Sequence, residues 1–533
     1  MSSDALLLAM TNMLNLFKVI KYQLYLLQLE NYELGRFWKL LFKKGFWPKG
    51  EQRKQLVWTQ KVLAVFVLAV ILHIGLPIVL YWKLSNGFLA ESSMYYVVSF
   101  GFFFLLTICY MLLYTIAVLL LWPIDWLVKQ IIVTRAKLKI KDKGSRIKII
   151  GIAGSYGKTT MKEVLRAVLS TQYTVYSTPE SVNTPVGIAR WVLKSVKSDT
   201  EILIVEMGEH YKGDVEEICN IAKPDVAVVT GINEAHLERM KTLGNITDTV
   251  FEVVSKSKAG ALIVLNGDDK NVEKNYKNYI WPDHKVEKFS ARGGSALGRQ
   301  ISNFKFDTEK LGWDATISVI ASASEAILKN KEIATSSDKA LTPRNDNKVD
   351  KVFINLLGEY ALGDVVGAIK IAESLGMNNE EILNGIANIK PVEHRLQPIK
   401  SAGGVLVVDD AYNGNPAGVA EAIKVLSRFE NRRKLFITPG LVETGKATAE
   451  IHREIGKQLA EVADVVILIR NSVTGFIEEG INESSKYQVA SIKYKKPEVI
   501  YFNTAQEAHP SLSKILQPND VIVFQNDWGD QYI

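Results

Sequence analysis

The stretch from Arg146 to Leu169, which reads RIKIIGIAGSYGKTTMKEVLRAVL, constrains the fold of this chain more than any other. An apolar, β-branched run leads into a glycine-rich turn at Gly154–Gly157, and an amphipathic helical pattern follows directly. In such a turn, backbone N–H groups at the helix N-terminus point at a bound anion. The pattern therefore predicts a strand, a phosphate loop and a helix, which together open an α/β nucleotide-binding domain.

The residues of this loop have separate expected roles. Lys158 adds a positive charge beside the phosphates, and the hydroxyl of Thr159 is placed to hold Mg²⁺. The spacing departs from the strict G-x-x-x-x-G-K-[ST] pattern, because Ile152 stands where the first glycine belongs. The residues expected to contact a nucleoside triphosphate are Gly154, Ser155, Gly157, Lys158, Thr159 and Thr160.

Two long uncharged runs precede the phosphate loop. Val62–Trp82 contains no Asp, Glu, Lys or Arg and is long enough to cross a hydrocarbon core, and Tyr95–Trp122 is uncharged and longer still. Soluble helices seldom run this far without a charged face. We therefore predict a two-helix transmembrane hairpin over residues 61–125, with spans at about 62–82 and 95–122.

Basic residues flank the hairpin on both sides. Lysines and arginines crowd the residues before the first run and those from Lys129 to Lys148, whereas the connection Lys83–Met94 has one Lys and one Glu. By the positive-inside rule both flanks are cytoplasmic, so we expect a multi-pass protein of the cytoplasmic membrane with its termini and soluble domains in the cytoplasm. The same lysines could also bind anionic membrane lipid.

The residues before the hairpin, 1–60, carry apolar side chains at helical spacing. This amphipathic segment is expected to lie on the membrane surface or to dock on the spans. The chain has two cysteines, Cys109 and Cys219, which excludes a disulfide framework or a cysteine zinc site and fits a reducing cytoplasm. The net charge of +7 is modest, and we expect no nucleic acid among the partners.

Chemistry-bearing side chains follow two apolar runs of the soluble part. The run EILIVEM carries the acid Glu206 near its end, and the run DVAVVTGI is followed by NEAH, which ends in His236. In an open parallel sheet, ligands bind beyond the carboxyl ends of the strands, so both residues are candidates for metal or nucleotide binding. A lone His is more often a surface or core residue, but its place after a buried strand favours the site.

Strands and helices alternate again from Gly404 to the end of the chain, which predicts a second doubly wound sheet. The polar stretch Thr335–Lys351 is predicted to be a flexible surface insertion, and SVNTPVGIARWVL a polar loop. The expected soluble domains are therefore residues 146–392 and 393–533.

These motifs together resemble the Mur ligase family, and most closely its MurF branch. The resemblance covers residues 146–533, and seven motifs in the same order carry it: GSYGKTT, NTPVGIA, the long segment that starts EMGEHYKGD, LNGDD, DDAYNGNP, TPGLVETG and NDWGDQY. The segment LQLENYELGRFW is similar to the leader of membrane-anchored MurF-like proteins. The resemblance implies a central P-loop ATPase domain and a Rossmann-like C-terminal domain.

The resemblance also implies a reaction. It is an ATP-dependent, ADP-forming amide ligation of peptidoglycan precursor synthesis, in which a UDP-muramoyl peptide carboxylate becomes an acyl phosphate. An amine such as D-alanyl-D-alanine or an amino acid then attacks it, and other envelope-synthesis enzymes are possible partners. ATP and Mg²⁺ are the implied cofactors.

The family's functional residues match positions of this chain. Lys158, Glu206 and His236 match catalytic positions, and Thr159, Glu206 and His236 match metal ligands. Asn183 and Thr184 match a substrate-binding loop. The nucleotide positions that the resemblance places near the C-terminal domain are Arg395, Asp410, Tyr412, Asn413 and Asn415. Glu443 and His452 carry a weaker signal and are expected to be structural or solvated.

Two departures from the family pattern leave alternatives open. Val250 stands where the family has a carbamylated lysine that bridges the metals, with Glu252 as the nearby acid. GEYALGD replaces G-x-H-N-x-x-N, so Tyr360, Ala361 and Asp364 stand for a His and two Asn. A ligase of the poly-γ-glutamate or folylpolyglutamate type and a degenerate ATP-binding scaffold at the membrane are the alternatives. A membrane-tethered kinase would have no use for the second sheet.

Overall fold

The structure is a computed structural model that describes residues 17–48, 56–86, 94–108, 110–142, 146–180, 182–235, 237–291, 298–320, 350–412, 414–484 and 496–526. The chain divides into two compact units, one within Met1–Ile131 and the other formed by Ile132–Asp527.

The first unit is helical. Residues 17–29 form a helix, and further helices are Leu34–Lys44, Gln60–Ser85, Met94–Ile108 and the first part of Tyr110–Asp142. Leu27 and Phe37 of the N-terminal helices share one buried cluster with Val65. The hydroxyl of Tyr114 donates to the carbonyl of Ile20 at 3.2 Å. Of the two alternatives for the N-terminal segment, docking on the long apolar helices is the one that its described residues follow.

Two helices of the described residues are long and apolar enough to cross a membrane. They are Gln60–Ser85, with a mean hydropathy of 2.8, and Tyr110–Asp142, with 1.9. Core helices of soluble proteins can meet the same criterion, but they are mostly buried, whereas only 22% and 17% of these apolar windows are buried. The second predicted run is divided between Met94–Ile108 and Tyr110–Asp142, and Cys109 lies outside the described residues.

The second unit begins with the predicted phosphate-loop domain. Its six-stranded sheet has the order β2-β3-β1-β4-β5-β6, and every neighbouring pair is parallel. Parallel order places the carboxyl ends of all six strands at one edge, where the phosphate loop follows the central strand β1. The strands are β1 Lys148–Ala153, β2 Val175–Ser177, β3 Ile202–Glu206, β4 Val226–Val229, β5 Leu262–Asn266 and β6 Lys285–Phe289.

Helices cover both faces of this sheet. The phosphate-loop helix packs on one face with two later helices that close the domain, through a cluster that includes Met161, Leu165 and Ile369. The other face packs through Val205, Val250 and Phe251, and Ala136 of the helix Tyr110–Asp142 is buried in the same cluster. The helices of this domain are Lys158–Leu169, Pro185–Ser195, Asp214–Ile221, Leu237–Met240, Leu243–Ser255, Lys270–Asn275, Tyr360–Ser374 and Asn379–Ala387.

The prediction of a polar loop over SVNTPVGIARWVL was wrong for most of its length. Pro185–Ser195 is a helix, because Thr184 caps its N-terminus by accepting from the Gly187 N–H and Pro185 occupies the first turn. Apolar residues at helical spacing, among them Ile188 and Val192, bury its inner face.

A small antiparallel sheet of order β7-β8-β9 follows the first sheet. Its strands are β7 Gly298–Asp307, β8 Gly312–Ile320 and β9 Asp350–Ile354. The predicted flexible insertion Thr335–Lys351 lies outside the described residues, apart from its last two residues, which belong to β9.

The C-terminal part forms the predicted second doubly wound sheet. The strand order is β10-β11-β15-β12-β13-β14, with β10 antiparallel to β11 and the other pairs parallel. The strands are β10 Gln397–Lys400, β11 Leu406–Asp410, β12 Lys434–Thr438, β13 Val465–Ile469, β14 Glu498–Phe502 and β15 Val521–Gln525, and the helices are Pro416–Ser427, Thr448–Val462, Thr474–Ser484 and Ala505–Ile515.

Two glycines allow the helices Thr448–Val462 and Thr474–Ser484 to approach closely. A Cβ atom on Gly456 would collide with the carbonyl of Ile477, and one on Gly480 with the carbonyl of Arg453. Because both obstacles are backbone atoms, neither can move aside without displacing a helix.

We expect Gly456→Ala to lower the free energy of unfolding of the C-terminal domain by about 1–3 kcal/mol, the usual cost of overpacking. Gly475→Ala is the matched control, because a Cβ atom there meets nothing within 4 Å. It should be neutral or raise stability by up to about 1 kcal/mol through helix propensity. Thermal denaturation of the two variants checks this, and equal melting temperatures would contradict the packing argument.

Candidate active site

The phosphate loop is shaped by the end of strand β4. Gly154 has φ +148°, and a Cβ atom there would collide with the Thr230 hydroxyl. The Ser155 N–H donates to the carbonyl of Gly231 at 2.7 Å, and the Thr230 hydroxyl donates to the carbonyl of Tyr156. Only glycine fits the first position of this loop, which leaves its backbone open to an anion.

The ammonium group of Lys158 lies inside the loop. It donates to the carbonyl of Gly154 and to both carboxylate oxygens of Glu209, at 3.0 and 2.9 Å. The side chain of Lys158 is 12% exposed and that of Glu209 only 1%. The predicted phosphate-binding lysine therefore has a buried carboxylate as its counter-ion, which the sequence analysis did not single out although it lies in the EMGEHYKGD motif.

Glu206 connects strand β3 to the phosphate-loop helix. Its Oε1 accepts from the hydroxyl of Thr159 at 3.2 Å, and its Oε2 lies 3.2 Å from the ammonium of Lys162. Lys162 is 1% exposed, so this ion pair is buried. Although Oε2 has a cationic neighbour, it accepts no hydrogen bond from the described residues. The predicted pair of Thr159 and Glu206 is thus brought together, with Lys162 as an unpredicted third member.

These oxygens fit a magnesium ion. Mg²⁺ prefers hard oxygen ligands and is usually held by one or two carboxylates together with substrate phosphates. Thr159 and Glu206 supply such oxygens beside the phosphate loop, and Glu206 Oε2 is buried without a hydrogen bond from the described residues. No group of three or more His, Cys, Asp or Glu side chains with metal-binding geometry occurs in the described part of the chain. His236 lies outside the described residues.

A second buried polar group lies next to the loop. The Tyr156 hydroxyl donates to Asp269 at 2.6 Å, and Asp269 also accepts from the Ile232 N–H.

Burial raises the pKa values of Tyr360 and Asp364, the two polar residues of the GEYALGD departure, well above their usual ranges. Asp364 Oδ2 is buried and accepts no hydrogen bond from the described residues, so this end of the site keeps an unsatisfied polar atom.

The C-terminal domain contributes Arg395, Asp410 and Tyr412. The Arg395 guanidinium donates to the carbonyl of Tyr412 at 2.6 Å and lies 4.7 Å from the centre of its ring. The Arg395 Nε is buried without a hydrogen-bond acceptor among the described residues. Asp410 accepts from the Leu396 N–H, and burial raises its pKa to about 7, against the opposing effect of Arg395. These three predicted residues lie together.

Hydrogen bonds and ion pairs join the two α/β domains of the second unit. The Asn233 amide, just after β4, donates to the side chain of Asn415 at 2.9 Å, and Asn415 also caps the helix Pro416–Ser427. Arg239 pairs with Glu443 at 2.9 Å. The predicted nucleotide residue Asn415 is therefore held against the phosphate-loop domain, whereas Asn413 lies outside the described residues.

The remaining expectations divide between site and scaffold. Asn183 packs against Gly208, just beyond Glu206, whereas the Thr184 side chain is a helix cap. His452 is fully buried: its Nε2 accepts from the Leu441 N–H at 2.9 Å. Its Nδ1 lies 2.6 Å from the carbonyl of Thr448, so backbone groups occupy both ring nitrogens and the solvated alternative was wrong. Burial also lowers the pKa of His452. Glu443 is likewise structural through its pair with Arg239.

Val250 and Glu252 both have structural contacts: Val250 packs in a hydrophobic cluster, and Glu252 accepts backbone hydrogen bonds. Val250 is 0% exposed in the hydrophobic cluster under the sheet. Glu252 accepts from the Gly213 and Glu216 N–H groups, at 3.1 and 2.9 Å, and so caps the helix Asp214–Ile221. Glu252 therefore has a structural role that keeps its carboxylate occupied.

Two family models match this chain. Residues 152–371 match the Mur ligase middle domain, and residues 394–525 match the Mur ligase glutamate ligase domain. The chain belongs to the Mur ligase family. Both matches lie in the second unit, and together they span more than half of the chain.

Curated relatives of this Mur ligase are named UDP-N-acetylmuramoyl-tripeptide–D-alanyl-D-alanine ligase. The Bacillus subtilis relative is 24% identical over 395 residues, which cover 74% of this chain and 76% of the relative. The Escherichia coli relative is 24% identical over 341 residues, covering 63% and 68%. The names of these relatives thus agree with the MurF branch that the motifs indicate.

Solved structures confirm the fold. MurF from Thermotoga maritima in complex with ADP has a TM-score of 0.60 at 24% identity, and covers 75% of this chain and 80% of its own. MurF from Acinetobacter baumannii has a TM-score of 0.61 at 20% identity, covering 76% and 78%. At these identities the likeness concerns the fold alone.

The raised pKa of Asp410 predicts a pH effect on stability. Its folded-state pKa of about 7 lies above the unfolded value of about 3.9, so its contribution is fully present below pH 4 and is lost as the pH rises through 7. Between pH 5 and pH 8 the wild type should lose about 2–3 kcal/mol more than Asp410→Asn. Denaturant unfolding of both proteins at the two pH values measures this, and parallel pH profiles would contradict it.

Proposed function

We propose that this Mur ligase is an ATP-dependent, ADP-forming ligase that joins a UDP-muramoyl peptide carboxylate to D-alanyl-D-alanine or a similar amine. The observation that carries the proposal is the pair of contacts at the phosphate loop, Lys158 with Glu209 and Thr159 with Glu206. Residues of a second α/β domain lie beside them, since Asn415 accepts from Asn233. The names of the curated relatives support the substrates, and a MurF structure solved with ADP supports the nucleotide.

The positive charges of the site suit phosphoryl transfer. A substrate carboxylate oxygen would attack the γ-phosphorus and ADP would leave, which brings several negative charges together. Lys158, once turned to the phosphates, and Arg395, with its unsatisfied buried Nε, are the cations we assign to the nucleotide. Mg²⁺, held by Thr159, Glu206 and, by family resemblance, His236, would supply further charge neutralisation.

The second step needs protection from water. The amine attacks the acyl carbon, an amide bond forms, phosphate leaves and the amine loses a proton, whereas water attack would waste the ATP. The contacts Asn233–Asn415 and Arg239–Glu443 hold the two domains together at the site, which supports its closure against solvent. We assign Arg395, Asp410, Tyr412, Asn413 and Asn415 to the nucleotide, and Asn183 with Thr184 to the substrate side.

We also propose that this ligase is anchored in the membrane. The helices Gln60–Ser85 and Tyr110–Asp142 have the length and composition of spans, and their apolar side chains are mostly exposed. With basic flanks on both sides, we propose a hairpin in the cytoplasmic membrane that holds the ligase at its inner face, in contact with lipid.

The test is substrate-dependent ADP release by the full-length protein in detergent. ADP should appear only when ATP, UDP-muramoyl tripeptide and D-alanyl-D-alanine are all present, and the product should contain the new amide. Lys158→Met should lower the rate by at least about 100-fold, because a charge that stabilises the transition state is lost. Nucleotide binding without ADP release for any peptide and amine would instead favour the scaffold alternative.

The burial of Val250 gives a separate prediction. A carbamate needs an amine, and the side chain at this position is a fully buried valine. We therefore expect the ligation rate to be the same in carbon dioxide-depleted buffer with and without added bicarbonate. A bicarbonate-dependent rise in rate would show that another lysine carries a carbamate.

A further inference from the structure

The pair of Lys158 and Glu209 occupies the place where the phosphates are expected. Glu209 lies three residues beyond the end of strand β3, and its side chain is 1% exposed. Both of its carboxylate oxygens lie within 3.0 Å of the Lys158 ammonium. Within the described residues, Lys158 is the hydrogen-bond donor that reaches them.

The hydrogen-bonding capacity of Lys158 is already used. An ammonium has three donors, and those of Lys158 are directed to Gly154 and to the two oxygens of Glu209. A phosphate that takes this ammonium must therefore displace Glu209. Arginine and lysine partners of a phosphate form strong, charge-assisted hydrogen bonds, so the exchange is feasible.

The displaced carboxylate would then be a problem for the complex. Glu209 has almost no access to water, and it would face the negatively charged phosphate chain without its counter-ion. A buried unpaired charge is strongly unfavourable, and a second negative charge nearby makes it worse. A cation beside the phosphates removes the problem. Hard oxygen ligands for it are close by: Thr159 is the residue after Lys158, and Glu206 ends strand β3, three residues before Glu209.

We propose that Glu209 is a positioning residue that makes nucleotide binding depend on the divalent cation: it neutralises Lys158 in the free protein and opposes any nucleotide that arrives without a metal. This inference rests on the proposed nucleotide site and deepens it. It assigns Glu209 no contact with the reacting atoms.

Each of the two lysines around the loop has a carboxylate partner without ligand. Lys158 pairs with Glu209, and Lys162 pairs with Glu206 at 3.2 Å and with the partly exposed Glu163 at 3.6 Å. Metal-free nucleotide adds negative charge to this cluster, in which both lysines are already paired, whereas nucleotide with its cation adds far less. The neutral variant Glu209→Gln should therefore bind metal-free nucleotide more tightly than the wild type does.

The experiment is a titration of the full-length protein with ADP, once with Mg²⁺ and once with EDTA. ADP is the probe because it is not consumed. For the wild type we expect Mg²⁺ to tighten binding by about tenfold or more, and for Glu209→Gln we expect metal-free binding to be about tenfold tighter than wild type, so that the gain from Mg²⁺ largely disappears.

Glu217→Gln is the matched control. It removes the same charge from an exposed position on the helix Asp214–Ile221. It should keep the wild-type dependence on Mg²⁺. The proposal is overturned if Glu209→Gln binds metal-free ADP no more tightly than Glu217→Gln does. Failure of the wild type to bind ADP under either condition would instead refute the proposed nucleotide site.

A loss of the fold would be visible as a lower melting temperature of Glu209→Gln. In that case Glu209→Asp replaces it, because aspartate keeps the negative charge that is proposed to oppose metal-free nucleotide. Glu209→Asp should therefore keep the wild-type dependence of ADP binding on Mg²⁺. Metal-free ADP binding about tenfold tighter than in the wild type would overturn the proposal.

Discussion

The structure around the phosphate loop depends on the pairing of buried charges. Lys158 and Lys162 lie one helical turn apart, and each pairs with a carboxylate at or just beyond the end of strand β3. The parallel register of β1 and β3, in which Ile152 lies opposite Glu206, brings those carboxylates beside the loop that follows β1. Because an unpaired buried charge costs several kcal/mol, the helix, the loop and β3 must keep this register.

The elements that the sequence predicted are those with local signals. The phosphate loop, the acid at the carboxyl end of a parallel strand and the second doubly wound sheet all follow from hydrophobic runs, glycines and their order along the chain. Glu206 is the clearest case, since its place after EILIV predicted a position at the carboxyl end of a strand, where it does lie and where it contacts Thr159. The two long apolar helices were also recognisable by composition alone.

The contacts that sequence reasoning missed depend on distant residues. Nothing local marks Glu209 as the partner of Lys158, Asn233 as the partner of Asn415, or His452 as buried. The helix Pro185–Ser195 is different, because its Thr-Pro start is a recognisable N-terminal helix signal. The polar residues at the start of the segment nevertheless led to the wrong prediction of a loop. The carboxylate of Glu252 looked available from its position, but it caps a helix whose start lies far away in the sequence.

The boundary of the second unit falls inside a helix. Tyr110–Asp142 is one continuous helix, and its last turns belong to the phosphate-loop domain: Ala136 is fully buried in the core, and Lys139 donates to the carbonyls of Val192 and Leu193. A cut at Arg146, where the nucleotide-binding pattern begins, would remove this layer and expose the apolar surface beneath it. A version of the ligase domains without the first unit would therefore have to start near Ile132. An insertion or deletion between Ile132 and Asp142 would rotate part of the helix's buried face away from the core.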